Sequence, residues 1–240
     1  MNRFRQLLND RAPQFVASLV QLISSKTKLA KCDPNTVFAA AITAAALDLP
    51  IDPNLGFAHI VPYGDQAQFQ LGYKGFIQLA IRTGQYKFLN CCIVHEGELE
   101  GLNELTGEVV FNLKSRTSDN VIGYAAYFKL MNGYEHAEYW SCAEVEAHAK
   151  RYSQAYQKGY ETPWKTDFDA MALKTVIKSL LSHWGIMSVE MQRALTSDQA
   201  VRKSVDAEEV IYPDNETHKT EVEVSPEEVK ASLKLAEKAS

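Results

Sequence analysis

Apolar and polar positions change period several times along this chain, and each change marks an element. Between Phe4 and Ile23 the apolar residues Phe4, Leu7, Leu8, Phe15, Leu19 and Leu22 recur at helical spacing, with Pro13 placed to split the helix in two. Asp33-Pro34 supplies a cap and a proline at the first helical position, opening an alanine-rich helix to about Leu47. Its small side chains fit a buried core helix or a subunit contact. Pro50 and Pro53 then force an extended turn. Phe57–Tyr63 and Gln66–Gln70 read as a hairpin around Gly64-Asp65. Tyr73, Phe76, Ile77 and Ala80 form the apolar stripe of a helix ending near Thr83, with Gly84 at the C-terminal cap.

Strands are then expected at Tyr86–Glu96, Glu108–Leu113, Val121–Met131 and Tyr134–Trp140, the last two joined by Asn132-Gly133. Gly97–Gly107 reads as a polar loop and Arg116–Asn120 as a turn. Ser141-Cys142-Ala143-Glu144 fits a capping box for a helix reaching about Tyr156. A long helix starts at Thr166 or Asp167, buries Leu173, Val176, Ile177, Leu180 and Trp184, and stops at Gly185. Strands cluster instead of alternating with helices. The expected class is α+β, a mainly antiparallel β-β-α-β-β-β-β core flanked by N-terminal and C-terminal helices.

Composition bounds this picture. A chain of 240 residues with 46% hydrophobic content supports one core domain of about 200 residues plus a tail. No apolar run approaches the roughly 18 residues of a membrane span, and the N-terminus lacks a signal-peptide core, so a cytoplasmic protein without membrane association is expected. Cys32, Cys91, Cys92 and Cys142 include no C-x-x-C pair. Adjacent Cys91 and Cys92 point to opposite faces of a strand, which suits reduced thiols. The net charge of −5 is concentrated at the end: Asp198 to Ser240 holds eleven acids and six bases, leaving 19 of each in residues 1–197. The expected division is therefore a neutral core, 1–197, and a flexible acidic tail, 198–240, with a short helix at Pro226–Ala239. A neutral core can hold a basic groove if its acids lie elsewhere.

Two cation stripes are candidates for such a groove. Lys74, Gln78 and Arg82 recur at i, i+4 and i+8 beside Tyr73, and Lys174 and Lys178 share a face of the long helix. Cations beside aromatic rings suit a phosphate backbone carrying flat bases; a solvated helix face fits the same spacing. Lys150, Arg151, Lys158 and Lys165 are likewise interleaved with Tyr152, Tyr156, Tyr160 and Trp164. A mobile loop with snorkelling lysines is the alternative there.

No glycine is followed by lysine, so the Walker A pattern is missing. The six histidines show no H-E-x-x-H or zinc-like spacing. No catalytic residue, metal or cofactor is assigned. A metal-dependent nuclease would need converging carboxylates, and Glu96, Glu98, Glu100 and the triplet Glu228-Val229-Lys230 are its only candidates. An oligomeric scaffold without DNA-pairing activity is a further alternative.

Longer motifs favour one reading. Leu47-Asp48-Leu49-Pro50-Ile51-Asp52-Pro53-Asn54-Leu55-Gly56, Ile60-Val61-Pro62-Tyr63, the stretch Gln68–Lys87, Asp169-Ala170-Met171-Ala172-Leu173-Lys174-Thr175-Val176-Ile177-Lys178 and Trp184-Gly185 lie in the order seen in RecT proteins. From about Asp10 to Thr196 the chain resembles this family of phage and prophage single-strand annealing proteins. The resemblance implies ATP-independent annealing of complementary strands in homologous recombination, by a non-enzyme. It implies contact with single-stranded DNA and the annealed duplex, self-assembly into a ring or helical filament, and a partner exonuclease, with a host single-stranded DNA-binding protein as a further candidate. It places Lys74, Gln78, Arg82, Lys174 and Lys178 on the DNA-binding surface, with Tyr73, Trp164 and Lys165 as additional candidates. In this family the C-terminal region is variable and associated with protein contacts; a merely solubilising or groove-screening tail also fits.

Overall fold

The computed structural model describes residues 6–103, 105–203 and 211–212. A 3-10 turn at Asn9–Arg11 precedes helix α1 (Ala12–Ser25), and the chain bends at Asn9, where φ is 48°. The expected helix is thus divided in two, with residues 6–8 helical before the turn and α1 after it. Pro13 sits in the first turn of the second piece, where its missing N–H costs nothing. Helix α2 (Pro34–Ala46) starts where the Asp33 carboxylate accepts the Asn35 N–H at 2.9 Å. Its alanines 39, 40, 41, 44 and 45 are buried and the helix packs on the following hairpin, so it is a core helix.

Strands β1 (Ala58–Tyr63) and β2 (Gln66–Leu71) form that hairpin. Helix α3 (Tyr73–Arg82) follows and closes at Gly84, whose φ of +69° explains the glycine. Strand β3 (Tyr86–His95) leads to β4 (Leu99–Asn103) and β5 (Glu108–Phe111), then β6 (Val121–Leu130) and β7 (Glu135–Ser141). Strand β4 corrects the expected loop at 97–107: Leu99 pairs with Phe111 and Asn103 with Glu108. The described strands make three antiparallel sheets, β1-β2, β3-β6-β7 and β4-β5. The class is α+β, as the clustering of strands implied.

The capping box at Ser141 opens α4 (Cys142–Tyr152). Ser153 ends it early and restarts the chain as α5 (Gln154–Gln157), its hydroxyl accepting the Tyr156 N–H. After α6 (Pro163–Thr166) comes α7 (Phe168–Trp184), capped by Asp167. A further helix, α8 (Val189–Ser197), lies beyond it. Helix α7 covers the inner face of β3-β6-β7, where Val176, Ile177 and Leu180 meet Tyr124, Ala126 and Phe128, all buried. Polar links fix its rotation. Tyr124 donates to Asp169 at 2.6 Å, while Ser179 and Trp140 both donate to Glu138 Oε1.

All four cysteines carry free thiols. Cys91 faces the core, where burial pushes its thiol up to about 12, and Cys92 is exposed. No helix among the described residues is long and apolar enough to cross a membrane. Packing continues past residue 197: Asp198, Ala200 and Val201 are buried, Gln199 N–H donates to Phe69 O, and Val201 bridges Ile211. The acidic stretch 213–240, with the expected helix at 226–239 and the Glu228-Val229-Lys230 triplet, lies outside the described residues.

Candidate nucleic-acid interface

Helix α3 begins on bare backbone. Gly72 N–H donates to Phe57 O at 2.9 Å, and a Cβ on Gly72 would lie 2.1 Å from Gly56 O. The strand-to-helix junction is therefore pressed flat against residues 56–57. Lys74 runs over Gly56, its Cδ within 3.6 Å of where a Cβ would stand, and its ammonium lies 6.0 Å from the Tyr73 ring centroid. Both residues line a hollow of about 670 Å³ between the start of α3, the start of α7 and residues 53–62.

The wall carries mixed charge. Lys26, Lys74 and Lys174 face Asp167 and Asp169, but both acids hold structural bonds, one capping α7 and one accepting from Tyr124. Lys26 and Lys74 have no ion pair among the described residues. His59, also in the wall, is lowered to about 4 by burial and by the charges of Lys174 and Lys26, so it is neutral at physiological pH. Its ring offers a hydrogen-bonding edge without charge.

Lys174 plays a different part. It is 5% exposed and its ammonium lies 2.7 Å from Asp198 Oδ1. Lys178, about a third exposed, reaches Asp198 Oδ2 at 3.2 Å, and Leu71 N–H donates to Oδ1 at 2.9 Å. Burial alone would raise the Asp198 carboxyl; the two ammonium groups and the amide hold it below its ordinary range. This cluster ties the chain after α8 to α7 and β2. Lys174 lines the hollow from behind, as a buried positive charge neutralised by its partner. It also lines a second hollow, of about 370 Å³, with Lys178, Trp140, His148 and Trp164.

The other candidates are dispersed. Arg82, eight residues along α3 from Lys74, donates to Leu47 O and Asp48 O, both at 2.7 Å, and borders a separate hollow with Arg11 and Phe15. It staples α3 to the end of α2. Arg82→Ala is expected to cost about 1–2 kcal/mol for two charge-assisted bonds while leaving DNA affinity unchanged, read by urea unfolding and by anisotropy of a labelled oligonucleotide. Gln78 is half-buried between the two ends. Trp164 is 6% exposed and packs against Phe168, Tyr156 and His148, so it anchors α6 in the core. Lys165 donates to Gly159 O across the preceding loop. On α4 Lys150 pairs with Glu146, and in the loop Tyr160 stands 64% exposed.

The carboxylates of the nuclease alternative are occupied with holding the chain. Glu98 is buried and accepts the His95 N–H at 2.7 Å, Glu96 accepts the Ser118 hydroxyl, and Glu100 accepts the Asn112 amide. Sequence reasoning missed Lys26, His59 and Asp198. Each lies outside the two periodic stripes and reaches its place only through tertiary folding.

The fold and hollow define a helix-flanked antiparallel α+β protein with a lysine-lined, aromatic-edged cleft. The RecT family model matches residues 13–213, and the chain belongs to the RecT family. An uncharacterized protein, YqaK of Bacillus subtilis (strain 168), is 54% identical over 206 residues, covering 86% of this chain and 71% of that protein. Protein RecT of Escherichia coli (strain K12) is 27% identical over 187 residues, covering 74% of this chain and 68% of its own.

Proposed function

We propose that this protein binds single-stranded DNA and anneals complementary strands without ATP in homologous recombination, acting as an oligomer. The observation that carries the reading is the α3 junction. Lys74 and Lys26 flank an open hollow beside Tyr73, with no carboxylate paired to either ammonium among the described residues. The lysines take phosphates, and the Tyr73 ring takes a base face. Base edges stay free, so a second strand tests register by Watson–Crick pairing, which supplies the specificity. Membership of the RecT family supports the same chemistry. Lys174, Lys178 and Arg82 act in this scheme by holding α3, α7 and the chain after α8 in place. Gln78, Trp164 and Lys165 are placed around them rather than in the hollow.

The reading extends to a ring or helical filament, to a partner exonuclease and a host single-stranded DNA-binding protein, and to the acidic C-terminal stretch as the carrier of those contacts. It places the protein in the cytoplasm, where such DNA is processed.

Complementary labelled oligonucleotides should anneal faster with the protein, in the absence of nucleoside triphosphate. Lys74→Ala and Lys26→Ala should each weaken single-strand binding and lower the slope of log K against log salt by roughly 0.7–1. No acceleration by the wild-type protein, or unchanged slopes in both variants, would refute the site. End-labelled DNA should remain intact with Mg²⁺; shortening would favour the nuclease.

A further inference from the structure

Two surfaces of this chain look built for each other. The first is α1. Its 14 residues contain no charge at all, yet Gln14, Ala17, Val20, Gln21 and Ser24 are exposed, Val20 by 57%. An exposed helix ordinarily carries charge on its solvent face. Basic residues bracket this one, Arg11 before it and Lys26, Lys28 and Lys31 after it. Arg11 and Lys28 are engaged in exposed pairs with Asp48 and Glu161, leaving Lys26 and Lys31 as the surplus positive charge.

The second surface is the β4–β5 hairpin. A two-stranded ribbon is marginal by itself and needs a cover for its apolar residues. Its turn rests on β7, with Gly107 packed so close to His136 that a Cβ would come within 2.5 Å of the ring. His136 in turn lies against Trp184, the ring centroids 4.3 Å apart. Leu102, Leu105 and Trp184 nonetheless remain 45%, 95% and 51% exposed. This apolar surface has an acidic surround: Glu96, Glu100, Glu108 and Asp119 are exposed there, against Lys114 and Arg116.

We infer that the hairpin of one copy docks on the α1 face of a second copy. The acidic surround argues against two hairpins meeting face to face, because like charges would oppose each other. The complementary surface, uncharged in the middle and basic at its C-terminal end, is present on the same chain. Such a contact is heterologous: each copy has one surface of each kind, so addition continues until a ring closes or a filament grows. The inference takes self-association from the annealing reading and adds which surfaces make it.

The test uses the full chain and two variants at exposed positions, Val20→Glu and Leu105→Lys, with particle mass measured by light scattering with and without single-stranded DNA. Unchanged circular dichroism and unchanged binding of an oligonucleotide too short to bridge two copies verify the fold. Each variant alone should fall to monomer where the wild type is assembled, with at least a tenfold weaker association. Mixing them in equal amounts should restore particles, because every mixed contact is either wild type on both sides or glutamate against lysine. Assembly persisting in either variant, a wild type that stays monomeric, or a mixture that fails to recover would overturn the proposal. Loss of DNA binding by the wild type would instead overturn the annealing reading and leave the interface to be judged by mass alone.

Discussion

Asp198→Asn is expected to destabilise the protein by about 3 kcal/mol or more, and adding Lys174→Met should recover most of the loss. Asparagine keeps an acceptor for the Leu71 N–H, so the hydrogen bond survives. What disappears is the countercharge. Lys174 is 5% exposed and cannot reach water without moving α7, whereas Lys178 is exposed enough to turn outward. An unpaired buried ammonium is a heavy fraction of a typical folding free energy of about 5–15 kcal/mol. Removing it as well leaves a neutral site with one amide in it. Urea unfolding of both single variants and the double at pH 7 gives the coupling; additive losses would show that the pair does not interact.

The pH dependence separates this cluster from the histidines. Asp198 has a lowered folded pKa, so its contribution is complete above its unfolded value and disappears as pH falls below about 4. His59 and His148 are both lowered to about 4, chiefly by burial, with Lys174 and Lys26 acting on the first and Lys178 and Arg151 on the second. Between pH 6.5 and 4 the unfolded chain binds protons that these two folded rings refuse. Stability therefore falls with pH across that window in wild type and Asp198→Asn alike, while the further loss below pH 4 is smaller in the variant. The same double variant also tests the role of Lys174. If the lysine is structural, a refolded Lys174→Met/Asp198→Asn protein should retain single-strand binding that Lys74→Ala loses.

Elements whose periodicity repeats were legible in the sequence. The hairpin at Gly64-Asp65, helix α3 with its Gly84 terminus, the Asn132-Gly133 hairpin and the Ser141 capping box all stand where local chemistry puts them. Strand β4 was not legible, because Glu100, Gly101 and Asn103 carry no alternating apolar face and its pairing depends on β5. Helix α8 was missed for a related reason: only Met191 and Ala194 of its apolar positions are buried, too few to stand out. The division into three sheets is a tertiary fact with no local signal. At the site, spacing identified Lys74 correctly as a side chain of an exposed helix face, but Lys174 and Arg82 share that periodicity and are committed to partners remote in sequence. Periodicity tells which face a lysine occupies; burial and countercharge decide whether it is available to a ligand, and those come from elsewhere in the chain.

Gly72→Ala is expected to damage both fold and DNA binding, and Gly84→Ala only the fold. At Gly72 the backbone is ordinary, with φ −81°, so conformational freedom is not the reason for glycine. Space is. The added methyl would stand 2.1 Å from Gly56 O and 3.2 Å from His59 Nε2, and the first of these is backbone that cannot swing aside. Residues 56–57 and the first turn of α3 must separate, at a cost of about 1–3 kcal/mol for overpacking. The separation displaces Tyr73 and Lys74 together, since they are the next two residues. Gly84 is the opposite case: φ is +69° and nothing lies within 4 Å of a new Cβ, so the cost is the left-handed conformation alone, roughly 1–2 kcal/mol. Two variants of comparable stability would thus differ in single-strand affinity. Measured at a temperature where both are fully folded, a loss confined to Gly72→Ala locates binding at the start of α3. Equal affinity in the two would mean that the Tyr73–Lys74 end of the helix does not touch the strand.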